Sequence, residues 1–259
     1  MHFTFTAIEA ALASYLWPFF RISAMLMTMA VIGGQNVPVR IRLAAALAIT
    51  IATVPGIPPL PTVPLFSLQS FFITLQQMLI GIAVGLVTQF VLQTFILAGQ
   101  FIGMQTSLGF ANIVDPSNGQ TVPVIGQLFL MLATLIFLVI DGHLLLIHML
   151  ADSFHTLPVG SQGLDPGSWR MIATWFSWVF AAALAMSISE LVALLVINIV
   201  FGIMTRAAPQ LNIFTIGFPV TMVSGIFLLW LTLTDFNHHF DVQWQRMVNL
   251  LCDLLGVCS

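Results

Sequence analysis

A chain of 259 residues that is 59% hydrophobic and 6% charged, with a mean hydropathy of +1.06, reads as a polytopic membrane protein, since a soluble domain carries about 25% charged residues. All six basic residues are arginines, and a net charge of −3 leaves no basic surface for nucleic acid. Cys252 and Cys258 have no histidine nearby at metal-ligand spacing and read as structural thiols, so no metal and no cofactor is expected.

The first apolar segment covers about 7–32 and is long enough to cross a hydrocarbon core, which takes roughly 20 residues. It lacks the basic start and small-residue cleavage site of a signal peptide, so it is expected to stay in the mature protein. Pro18 and Arg21 interrupt it. An arginine this deep is expected to face protein, in an ion pair or bonded to carbonyls freed by Pro18, with a pore-lining role as the sharper alternative. Gly33-Gly34-Gln35-Asn36-Val37-Pro38 is a turn. The apolar stretch that opens on Arg40 and Arg42 and ends near Val54 is barely fifteen residues, too short for an upright span. Five prolines in residues 55–64 then make a stiff extended connector.

The central run from Gln69 to Gly103 holds no proline and no charge, and as one helix it reaches about 50 Å, against a bilayer core of about 30 Å. At roughly 100° per residue, Gly81, Gly85, Gly99 and Gly103 fall within about 40° of one another, with Gln89, Gln93 and Gln100 on the adjoining strip. Small residues four apart admit a second backbone, and buried amides bond between helices. These seven residues are therefore expected at packing contacts between subunits. The pattern breaks over Gly109 to Gly119, and Val122 to Leu150 reads as a second long arm, giving an antiparallel helical hairpin whose tip is the loop Gly109 to Gln120.

Asp141, His143, His148, Asp152 and His155 read as polar helix ends, and their spacing is not taken as a metal site. Residues 157–167 are a loop by Pro and Gly content, and Ser168 is the expected cap of a helix over Trp169 to Thr205. That helix carries Glu190 near its middle, and an isolated carboxylate there must be neutral, paired or functional. Arg21, Glu190 and Arg206 are the expected buried charges, with Arg21 and Glu190 a candidate pair. A short polar break from Arg206 to Pro219 precedes a last span to about Thr234. The tail, about 240–257, alternates at helical spacing and reads as an amphipathic helix for a membrane surface or a partner. If six segments alternate, Arg40, Arg42 and Arg206 lie on one side and Arg170 and Arg246 on the other, which mildly favours Arg40 and Arg206 toward the cytoplasm.

Several motifs in order carry a resemblance. They are Ala98-Gly99-Gln100-Phe101-Ile102-Gly103-Met104-Gln105, Phe110-Ala111, Asp115-Pro116, Pro123-Val124-Ile125-Gly126, Asp141-Gly142-His143-Leu144, the stretch Asp152 to Gly160, and Arg206-Ala207-Ala208-Pro209-Gln210 leading to Gly217-Phe218-Pro219. Together they resemble the FliR family of the flagellar and virulence type III export apparatus over nearly the whole chain. That family often has Asn where this chain has Asp141.

The resemblance implies an all-α integral membrane subunit, one domain over 1–259, whose long bent hairpins pack with FliP-like and FliQ-like subunits and an FlhB-like subunit. The resulting channel passes unfolded export substrates across the bacterial inner membrane, within the flagellar basal body, with helices raised toward the periplasm and in contact with lipid. It further implies that the loop 106–121 is a pore plug, with Phe110, Ile113, Asp115, Pro116, Ser117, Asn118 and Gly119 in the pore and Gly109 and Gly119 as hinges. No catalytic constellation of nucleophile, base and orienter is present, so an enzyme is not expected. The competing class is a proton-coupled or small-solute secondary transporter, which needs internal repeats and several midplane charges. Only Arg21 and Glu190 qualify.

Overall fold

The computed structural model describes residues 5–34, 37–61, 63–64, 66–106, 108, 112–114, 121–160, 163–207 and 217–258, with the backbone alone for 5–11, 112–114 and 121–122. Its elements are α1 (Phe5–Thr28), α2 (Val39–Thr53), α3 (Leu68–Gln105), β1 (Asn112–Val114), β2 (Thr121–Pro123), α4 (Val124–Val139), α5 (Gly142–Thr156), α6 (Pro166–Ala207), α7 (Phe218–Thr232) and α8 (Phe236–Leu255). The all-α membrane class is borne out, with the short β1–β2 ribbon as its single departure among the described residues.

By length and composition, three stretches qualify to cross a membrane: Val39–Gly56, Leu68–Gln105 and Pro166–Ala207. The number rises to as many as five if α4 with α5, and α7 with α8, each count as one bent span. The α2 stretch, read above as too short, reaches 18 residues once its terminal 3₁₀ turn is added.

The helices sort into two compact units interleaved in sequence, one of 1–89, 140–174 and 246–259, the other of 90–139 and 175–245. In the first unit α2 packs back on α1. The turn between them is tied by Arg42, which donates to the carbonyls of Val37 (2.7 Å) and Gly34 (2.5 Å). In the second, Phe95 and Phe129 from the hairpin arms meet Phe236 of α8 with ring centroids 5.2 and 5.4 Å apart, and Phe137 meets Trp244 at 5.8 Å.

The amphipathic tail starts earlier than expected, at Phe236, and its apolar face is already occupied. Phe240, Met247, Leu251 and Leu254 are buried within the chain, so this face is a core element rather than a membrane-surface or partner face. Its end is fastened by Thr156, whose hydroxyl donates to the Leu255 carbonyl at 2.6 Å. Cys252 and Cys258, read as thiols, are joined as a disulfide with Cα atoms 5.1 Å apart.

Two local expectations are corrected. The second arm is not continuous: it stops at Val139 and restarts at Gly142, because Asp141 takes the left-handed conformation (φ 55°, ψ 31°), which among side-chain-bearing residues Asp and Asn adopt most readily. The Asp141 carbonyl then accepts from the N–H groups of Leu144 and Leu145 and starts α5.

The cap of α6 is Asp165, not Ser168. Its carboxylate accepts from the Ser168 hydroxyl, the Ser168 N–H (3.0 Å) and the Gly167 N–H (3.3 Å), with Pro166 at the first helical position. The Ser168 hydroxyl and the orphan N–H groups hold the Asp165 carboxyl below its ordinary range. A depressed carboxylate contributes stability above its unfolded pKa and loses it as pH falls through the folded one. Acidification below the usual carboxylate range is thus expected to loosen the first turn of α6. Limited proteolysis across 157–168 checks this: cleavage should rise at acid pH in the native chain, while Asp165→Ala cleaves alike at both pH values.

Candidate functional site

The hairpin base is a backbone-to-backbone contact. A Cβ added to Gly99 of α3 would lie 2.5 Å from the Gly126 Cα and 2.7 Å from its N, so Gly99 must lack a side chain for the arms to close, while a Cβ at Gly126 would press on the Ile96 carbonyl at 3.1 Å. One turn on, a Cβ added to Gly103 would lie 3.2 Å from the Pro123 Cβ. Above it β1 and β2 pair antiparallel, Asn112 opposite Pro123, Ile113 opposite Val122 and Val114 opposite Thr121. The tip was expected as a plain loop. Its ribbon was announced by the β-branched pairs Ile113-Val114 and Thr121-Val122 on either side of a Pro-Ser-Asn-Gly stretch.

A third wall comes from α7. Thr106, at the last turn of α3, is 3% exposed, and its hydroxyl donates to the Gly103 carbonyl at 3.2 Å. Its methyl group fills the space left by Gly225, where an added Cβ would come within 2.5 Å of Thr106 Cγ2. Thr221, Gly225 and Leu229 form the buried strip of α7, four residues apart, while Val223, Phe227 and Trp230 on the other side are exposed. Gly109, Phe110, Asp115, Pro116, Ser117, Asn118 and Gly119 lie outside the described residues, as does the side chain of Ile113.

The structure redirects the glycine stripe. Gly81 and Gly85 admit the Arg21 carbonyl and the Thr28 hydroxyl of α1, and Gly99 and Gly103 admit α4 and β2 respectively. Within this chain the four cradles are filled by its own backbone and side chains. The same spacing serves either purpose, and only the fold decides which. Gln89, Gln93 and Gln100 stay half-buried.

Arg21 is fully buried and bonded to neutral groups from two distant stretches, α3 and the end of α5. Nε donates to Gln77 Oε1 (2.7 Å), Nη1 to Ser153 Oγ (3.0 Å) and the Ser153 carbonyl (3.2 Å), and Nη2 to the Leu157 carbonyl (2.8 Å). Its guanidinium carbon also sits 4.2 Å from the Phe154 ring centroid. The carbonyls it uses belong to the C-terminal end of α5, where the helix dipole favours a cation, and not to residues freed by Pro18. Glu190 is 5% exposed, and its Oε1 accepts from the Thr232 hydroxyl at 2.5 Å. Each member of the candidate pair thus has neutral partners of its own. Arg206 is exposed, not buried, because it lies in the last turn of α6, where a long side chain reaches outward.

His148 Nδ1 and Asp152 Oδ2 lie 2.8 Å apart on the exposed side of α5, and among the described residues no three His, Cys, Asp or Glu side chains are placed to share a metal ion.

A family model described as "Bacterial export proteins, family 1" matches residues 12–247. The chain belongs to this family. It is 37% identical to the flagellar biosynthetic protein FliR of Escherichia coli K12 over 242 residues, which is 93% of this chain and 92% of that protein. Identity to FliR of Pectobacterium carotovorum is 34%, over 95% of this chain and 94% of that one, and to FliR of Bacillus subtilis 30%, over 94% and 96%. The FliR resemblance carried by the sequence motifs is thereby confirmed over most of the chain. Those motifs also find structural reasons within this export-protein family. Gly99, Gly103, Pro123 and Gly126 close the hairpin base, and Gly217-Phe218-Pro219 starts the helix that seats on Thr106.

Proposed function

We propose that the chain is a subunit of the flagellar protein export gate in the bacterial inner membrane. There it packs with FliP-like and FliQ-like subunits, and with an FlhB-like subunit, around a channel for unfolded substrates. The observation that carries this reading is the outer face of α6. Apolar side chains there stay about half exposed from Phe176 (52%) through Ile188 (51%) and Val192 (55%) to Ile203 (64%). That stretch is about 40 Å long. A bilayer core is about 30 Å thick, and the usual tilt of about 20° does not absorb the difference. Part of the face then needs cover from other protein. A secondary transporter is the weaker reading, since Arg21 is spent on neutral groups.

In this reading the tip, 106–121, is the plug, with Phe110 and Ile113 as apolar seal and Gly109 and Gly119 as hinges. A hydrophobic constriction closes a pore by dewetting. Deleting residues 110–117 is expected to raise small-ion conductance through the assembled complex at least several-fold, read by planar-bilayer recording. A complex that assembles without these residues and conducts like the native one refutes the plug. Affinity purification from native membranes tests the partners: recovery of the chain without any other export subunit refutes the gate assignment.

A further inference from the structure

The geometry points to α7 as a strut that fixes where the tip leaves the hairpin, with Gly225 and Glu190 as its positioning residues. The inference rests on the plug reading for its consequence, though not for its geometry. Thr106 is the first residue of the tip on the α3 side, and the surface it leans on is the bare backbone of Gly225. Any side chain there would push against Thr106 Cγ2 at 2.5 Å and Cβ at 3.2 Å. Thr106 is itself only 3% exposed.

The far end of α7 is held separately. Thr232 donates to Glu190 Oε1, two turns beyond Gly225, while Glu190 Oε2 is buried and makes no hydrogen bond. One oxygen of the carboxyl is therefore enough for the contact, and charge is not required. This assigns a use to Glu190 that is neither an ion pair nor a proton relay.

The test is a set of variants in the assembled complex. All carry Cys252→Ser and Cys258→Ser, so that a cysteine placed at Leu108 is the sole thiol, and each is read twice. The first reading is ion conductance per complex; the second is the rate at which that cysteine reacts with a soluble maleimide. Gly225→Ala should raise both several-fold, and adding Thr106→Ser, which removes Cγ2, should return both toward native values. Glu190→Leu should act like Gly225→Ala, and Glu190→Gln should not. If Gly225→Ala prevents assembly, recovery of the complex in the double variant supports the same contact. The strut is refuted if Gly225→Ala assembles with native conductance and labelling, if Thr106→Ser brings no recovery, or if Glu190→Gln is as damaging as Glu190→Leu. Failure of the plug reading looks different: labelling follows this order while conductance changes in none of the variants.

Discussion

Replacing Arg21 with leucine is expected to lower stability by about 3 kcal/mol. The change orphans two acceptors, Gln77 Oε1 and the Leu157 carbonyl, at about 1–3 kcal/mol each, while the Ser153 carbonyl keeps the Leu157 N–H. It also loses the contact with the Phe154 ring, about 1–2 kcal/mol when desolvated. Against this stands the relief of no longer desolvating a guanidinium, several kcal/mol, which keeps the net well below the sum. For a chain of this size the unfolding midpoint should fall by roughly 6–12 °C. Thermal unfolding of the purified protein in detergent measures it. Lysine is expected to recover less than half of the loss, because one ammonium cannot reach acceptors that a planar fork meets from three sides. A midpoint unchanged in Arg21→Leu shows that the contacts carry no net stability.

The second large effect concerns Gly99. Gly99→Ala is expected to cost about 3 kcal/mol, at the upper end of overpacking penalties, because the new methyl meets the Gly126 backbone and no side chain can swing aside. The comparison within α3 and α6 is the sharper check. Gly103→Ala meets only Pro123 carbons at 3.2 and 3.8 Å and should cost less than about 1 kcal/mol. Gly202→Ala meets nothing within 4 Å and should be neutral or add up to about 1 kcal/mol through helix propensity. Unfolding midpoints that fail to rank Gly202→Ala above Gly103→Ala above Gly99→Ala contradict the closure of the hairpin base.

The long helices were legible in the sequence because an unbroken apolar run has few other ways to satisfy its backbone in a membrane. The same logic located the hairpin and the amphipathic pattern of α8. What the pattern could not carry was the identity of each partner. Gly81 and Gly99 look alike in the sequence, yet one receives α1 and the other α4. Arg21 is recognisable as buried, but its acceptors lie 56 to 136 residues away. The cap at Asp165 was misread as Ser168 because both are good cap residues and Pro166 between them is the deciding sign. The strut was missed for a related reason. Gly225 sits alone in an apolar helix, and its significance depends on a threonine 119 positions earlier, a separation read from the Thr106 and Gly225 positions.

The joint at Asp141 has a consequence for how the second arm varies within the family. Its requirement is a backbone dihedral of φ 55°, which asparagine meets as well as aspartate and glycine meets at least as easily. The negative charge is then incidental, and exchange with the Asn that the family often carries leaves the bend unaltered. What this position contributes to the fold is an angle in the chain, which the backbone sets and the carboxylate does not.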